Sequence, residues 1–179
     1  MHPRIAELIA YVQLQRVALF GALCRIPEPL RDRRVDANTW SAAEVLEHLH
    51  VVESGIARLL TRSLERAKAA GLAPENEVGS VLASLDPLRL NDRSRRMSAP
   101  ELVMPRGELT AAQGMVALTE SRQALISALQ EADGLALGQV TRIHPTIGPL
   151  NLYQWVLFVG QHEARHADQL QDLARRLES

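Results

Sequence analysis

Between residues 151 and 177 the chain places Leu152, Trp155, Val159, His162, His166, Leu170 and Leu173 at intervals of three and four. That spacing returns side chains to one face of an α-helix and fits no strand, whose faces alternate at every residue. A helix with such a stripe has to cover it with other packed elements. The remaining sequence supplies helices for the purpose. Residues 4–24 carry Ile5, Leu8, Val12, Leu19 and Leu23 on one face, and Pro27 and Pro29 end the run. A second helix starts in Thr39-Trp40-Ser41-Ala42-Ala43-Glu44, where Ser41 caps and Glu44, three residues on, reaches back to the cap amide. It extends to about Ala70 and is closed by Gly71 and Pro74. A third, over about 108–131, sets Leu109, Ala112, Val116, Ile126 and Leu129 at helical spacing before Gly134 and Gly138.

No run of period-two alternation stands out, and four helices of roughly 20–30 residues imply an all-α, four-helix bundle. The chain of 179 residues suits one domain over 1–179. Residues 72–106 hold Pro74, Pro87, Pro100 and Pro105 and read as an irregular connection with a short helix near 80–90. A connection of that length is expected to pack over the bundle or shape a site.

Apolar residues are 46% of the chain, which argues against disorder, and a net charge of −1 argues against a nucleic-acid partner. The arginines from Arg89 to Arg96 are interrupted by Asp92 and lack aromatics, so they read as a solvated loop. Glu7, Gln13, Gln15 and Arg16 break any signal-peptide core near the N-terminus, and no stretch approaches about 18 consecutive apolar residues. A cytoplasmic protein with no membrane partner is the expectation. Cys24 is the one cysteine, so no intrachain disulfide forms, and on the first helix it is expected to pack as a small hydrophobe.

The chemistry lies in the histidines. His162 and His166 sit one turn apart on the inward stripe, where two imidazoles reach a single cation. A buried imidazole without a partner costs about 1–3 kcal/mol, and one ion satisfies two at once. His48 lies in line with Val45, Val52 and Ile56 on the second helix, whereas His50 falls about 200° further round and is set aside. A lone histidine on an apolar face is usually a hydrogen-bonded core residue. Three on two facing helices favour a metal site at His48, His162 and His166. Three nitrogen ligands leave a coordination position open, as in catalytic sites, and imidazoles suit zinc, nickel, iron or copper.

The string His162-Glu163-Ala164-Arg165-His166 also matches the His-Glu-x-x-His pattern of zinc peptidases. Only 13 residues follow His166, and Gln169 and Asp172 stand where the longer motif needs Gly and His. The peptidase reading is therefore set aside, and Glu163 reads as a surface or supporting residue with a general-base role in reserve.

Two blocks of the chain resemble the DinB-like superfamily. One is Trp40-Ser41-Ala42-Ala43-Glu44-Val45-Leu46-Glu47-His48-Leu49. The other is His144-Pro145-x-x-Gly148 followed by the stretch from Leu150 to Leu170, which contains His162-Glu163-Ala164-Arg165-His166-x-x-Gln169. The resemblance implies an up-down-down-up bundle with a long crossover between the second and third helices. It also implies a divalent metal on His48, His162 and His166, with zinc or nickel ahead of iron or manganese, and a homodimer.

Among DinB-like proteins are transferases that use bacterial low-molecular-weight thiols such as bacillithiol or mycothiol. The resemblance therefore implies a thiol S-transferase acting on small-molecule electrophiles, with a low-molecular-weight thiol as a second cofactor. The alternatives are a hydrolase using a metal-bound water and a non-enzymatic, metal- or small-molecule-binding stress protein. No catalytic residue is assigned; Glu163, Arg165 and His144 are the candidates. Arg165 either draws an anionic cofactor or pairs with Glu44, Asp168 or Glu163. His144 either lines the mouth of the site or structures a turn, and Trp40 reads as an anchoring aromatic.

Overall fold

A computed structural model describes residues 1–88, 90 and 99–177. The fold is predominantly helical. Four long helices, α1 (Pro3–Leu23), α2 (Ala42–Ala69), α3 (Ala111–Glu131) and α4 (Leu152–Leu177), carry most of the core. The start of α2 is the one its sequence dictates. The Glu44 amide donates to Ser41 Oγ at 3.2 Å and the Ser41 amide donates to the Glu44 carboxylate at 2.9 Å. A second box of the same kind, Thr110 with Gln113, opens α3 and places its start later than periodicity suggests.

The helix faces meet in a consistent order. Gly160 of α4 lies against the Tyr11 ring of α1, so closely that a Cβ there would overlap the ring. Further along, Arg16 meets Glu163, and Leu19 and Leu23 share a cluster with Leu170 and Leu173. On the other side Leu46 touches Gly114, and Glu53 meets Ser121 and Arg122.

At mid-height each helix contributes one charged residue to a buried quartet. Arg16 donates to Glu163 at 2.6 Å and to Glu53 at 2.7 Å; Arg122 donates to Glu53 at 2.6 Å and to Glu163 at 2.8 Å. Remaining guanidinium donors go to the carbonyls of Leu118 and Val12, and Ser121 Oγ donates to Glu53. All four charged side chains are less than a tenth exposed, so two positive and two negative charges neutralise one another where water cannot.

Several expectations are corrected. The all-α class holds for the predominantly helical fold, but the segment before α4, read as a loop, forms a small antiparallel hairpin, β1 (Thr141–His144) with β2 (Gly148–Asn151). Alternation was masked there because the strands are only four residues long and just Leu150 is buried. Gly148, at φ 96°, closes the turn in a conformation that side chains disfavour. On α3 the expected Leu129 is buried, but the rest of the buried face is Ala111, Gly114, Leu118, Ser121, Arg122, Leu125 and Ala128, whereas Val116 is 60% exposed. Apolar periodicity misreads part of this face because it carries the quartet's Arg122.

Cys24 caps the end of α1 and is exposed rather than packed. Helix α1 is long and apolar enough, by length and composition, to cross a membrane. In the fold it buries Ile5, Leu8, Val12 and Leu19 together with Arg16. The connection after α2 forms a 3-10 turn at Leu82–Leu88 and another at Glu101–Val103. It is tied to α1 and α4 through Glu7, which accepts from Ser80 and Val81, and Gln154, which donates to the Ser84 carbonyl. The arginine run from Arg89 to Arg96 lies outside the described residues apart from Leu90.

Because each member of the quartet faces two opposite charges, removing one leaves an uncompensated buried ion. Arg122→Met is expected to lower the unfolding free energy by about 3–5 kcal/mol in urea titration.

Candidate metal centre

His48 near the start of α2 and His162 and His166 in the middle of α4 converge on one point. His162 Nε2 lies 3.2 Å from His48 Nε2 and 3.1 Å from His166 Nε2, and the three ligand atoms all fall within 4.8 Å of one another. A tetrahedral ion with metal–nitrogen bonds of about 2.0–2.1 Å separates its ligands by about 3.3 Å. The three nitrogens therefore fit a single divalent ion.

Their outer edges are already committed. His48 Nδ1–H donates to the Val103 carbonyl at 2.7 Å, and His166 Nδ1–H donates to Gln169 Oε1 at 2.8 Å. With the proton on Nδ1, each Nε2 lone pair faces the centre, which is the arrangement a metal ligand requires. Burial holds His162 well below the ordinary imidazole value of 6.5, and His166, His48, Arg165 and His144 add to that effect. Burial also lowers His48, against a small opposing pull from the Val103 carbonyl. Neutral imidazoles near pH 7 follow, and neutral imidazoles bind metal.

The centre opens onto a cavity of about 1160 Å³ between α2 and α4. Trp40 lies against it: its ring is stacked 6.4 Å from His166 and tilted 5.1 Å from His48. Phe158 stacks on His162 at 5.3 Å. One half of the cavity is apolar, with Val52, Gly55, Ile56 and Leu59 of α2 facing Trp155 and Phe158 of α4. The other half is polar, with Asn38, Thr39, Gln169, Asp172 and Arg176.

Residues 5–170 match the model of the DinB superfamily. The chain belongs to this superfamily. It is similar to the uncharacterized protein YuaE of Bacillus subtilis (strain 168), 26% identical over 169 residues that cover 91% of this chain and 94% of that protein. No solved structure matches it.

The other candidate residues of this DinB-superfamily chain separate cleanly. Glu163 does not line the cavity; its two oxygens are held by Arg16 and Arg122. It follows His162 by about 100° of helix rotation, which turns it into the core instead of to the surface. Burial pushes its pKa up, Arg122 and Arg16 pull it down, and Glu53 adds to the upward push. Arg165 lines the cavity and donates to the Leu90 carbonyl at 3.4 Å, while Glu44 pairs with Arg34. His144 both structures its turn, accepting from the Thr146 and Ile147 amides, and lines the cavity. His50 faces α3 and donates to the Ala117 carbonyl.

Glu47 escaped sequence reasoning. Its carboxylate accepts from the amides of Arg106, Gly107 and Glu108 at 2.9–3.2 Å, pinning the chain that follows Val103 to α2. A glutamate beside His48 on a helix carries no sequence signal for that role.

Two outcomes are expected. Gln169→Leu releases the His166 ring and is expected to weaken zinc binding about 10- to 100-fold in a chelator competition assay. The lowered histidines mean that the folded, metal-free protein binds fewer protons than the unfolded chain once pH falls below about 6.5. Its urea midpoint should therefore drop between pH 7.5 and 5.5, and His162→Leu should flatten that slope.

Proposed function

We propose that this chain is a metal-dependent enzyme that transfers a low-molecular-weight thiol to electrophilic small molecules. A divalent ion, zinc or nickel, is held by His48, His162 and His166. The observation that carries this reading is the convergence of three Nε2 atoms on one point at the floor of an open cavity. An ion bound there supplies Lewis acidity, which favours a thiolate over a thiol at neutral pH.

The chain's own residues supply the rest. Val103 and Gln169 orient two of the imidazoles, and the Trp40 and Phe158 rings flank the centre. Arg165 on the same wall attracts an anionic thiol. In the transfer a carbon–sulfur bond forms at the electrophile, the leaving group departs with its bonding pair, and the thiol proton passes to solvent. Cys24 takes no part; it is not among the residues that line the cavity.

The order of helix contacts, with α1 running alongside α4 and α2 alongside α3, supports the up-down-down-up bundle expected of DinB-like proteins. A cytoplasmic location and a homodimer belong to the same reading. The hydrolytic alternative would use a metal-bound water, but it cannot call on Glu163 as base while both of that carboxylate's oxygens are bound by arginines.

Zinc- or nickel-loaded protein, incubated with bacillithiol, mycothiol or glutathione and a panel of aryl and alkyl halides, should form conjugates. His48→Ala and His162→Ala should lose both the metal and the turnover. Unchanged metal content in His48→Ala would remove the metal site. A loaded protein that conjugates nothing across the panel, but is stabilised by ligands, would point to the non-enzymatic binding role.

A further inference from the structure

The apolar half of the cavity contains a polar feature that the metal centre does not use. His144 closes β1 beside Trp155 and Phe158, with ring centroids 5.1 and 4.7 Å away. Its Nδ1 lies 3.2 Å from the Thr146 amide nitrogen and 3.3 Å from that of Ile147. Both of those groups are donors, so Nδ1 carries the lone pair and the proton resides on Nε2.

None of the described residues accepts from that Nε2–H, and the atom is not among the buried polar atoms sealed from solvent. In the same wall Trp155 is 5% exposed and its Nε1–H also finds no acceptor among the described residues. Among the described lining residues, the side chains near these donors are hydrocarbon, Val52, Ile56, Leu59 and Phe158, apart from Thr146. Among the described residues, the charged side chains of the cavity, Arg165, Asp172, Arg175 and Arg176, line it at or beyond the level of the histidines, toward the end of α4.

An unmatched donor in an apolar wall selects a ligand that brings one acceptor, and a charged ligand would be desolvated there without a counter-ion. We infer that this arm receives the apolar body of a neutral carbonyl compound, an aryl or alkyl ketone or aldehyde, whose oxygen accepts a hydrogen bond from His144 Nε2–H. Phe158, packed between His144 and His162, sets the reach: a ligand anchored on His144 extends along that ring toward the three histidines. The inference narrows the electrophile of the proposed function, on whose reading of the cavity it rests, to a carbonyl compound that also carries a displaceable group such as an α-halide, which departs with its bonding pair as the carbon–sulfur bond forms. His144 is here a positioning and specificity residue for the ligand.

Two probes of equal shape isolate the hydrogen bond: acetophenone, and α-methylstyrene, in which a CH2 replaces the carbonyl oxygen. Calorimetric titration of the full chain, with and without zinc, should show the ketone binding about fivefold to tenfold tighter than the hydrocarbon. His144→Phe should equalise the two, and His144→Gln, which keeps an N–H donor, should restore part of the preference. Gly55 lines the arm and a side chain there meets open space, so Gly55→Phe should fill the arm and weaken both probes at least tenfold. Equal affinities in the unmodified protein, a preference that survives His144→Phe, or undiminished binding in Gly55→Phe would each overturn the inference. Zinc content measured on the same samples reports separately on the triad. A ketone preference in protein that takes up no zinc supports this arm while removing the proposed metal chemistry.

Discussion

Arg16, Glu53, Arg122 and Glu163 come one from each long helix and meet in the buried interior of the bundle. Hydrophobic packing alone tolerates small rotations and slides, because dispersion and burial are non-directional. Paired guanidinium and carboxylate forks do not, since their hydrogen bonds have fixed directions. Glu163 is thereby held in the core, and a helix with Glu163 pointing inward has His162 and His166 turned toward α2. The rotational setting of α4, and with it the histidine cluster, depends on this quartet. Its charge is balanced internally, so the cost of burying four ions is offset by mutual attraction.

The same neighbourhood shows how adjacent residues divide their labour. Glu47 and His48 are consecutive on α2, and each grips a different part of the returning connection. Glu47 takes three amides after Met104, and His48 takes the Val103 carbonyl. The crossover is thus fastened beside the histidines, and its 3-10 turn at Glu101–Val103 becomes part of the cavity wall. A connection that looks irregular in sequence supplies a bond that sets the tautomer of a candidate metal ligand.

The cavity also carries a chemical gradient. At one end are polar and charged residues from the segment before α2 and the end of α4; at the other are aliphatic and aromatic side chains, with the histidines between them. The hairpin before α4 completes the apolar end by bringing His144 and Pro145 over Trp155 and Phe158.

Much of this was legible from residue order. Helix phase alone puts His48, His162 and His166 on inward stripes, because a 3.6-residue repeat converts spacing into direction. The Ser41–Glu44 box marks a helix start through a local hydrogen-bond exchange. Signals of that kind are contained within one turn of one helix. What local order could not decide was which side chains answer one another across the bundle. Glu163 looked like a surface or supporting residue, or a reserve base, and became a core ion; Cys24 looked like a core residue and became an exposed cap; Arg122 hid the buried face of α3. Glu163 and Arg122 depend on partners tens of residues away. The sequence determined the helices and the faces their histidines occupy, since both follow from local periodicity. Only the tertiary structure decided the charge quartet, the orienting bonds from Val103 and Gln169 and the two-sided cavity. Those arise from directional contacts between elements that no local pattern encodes.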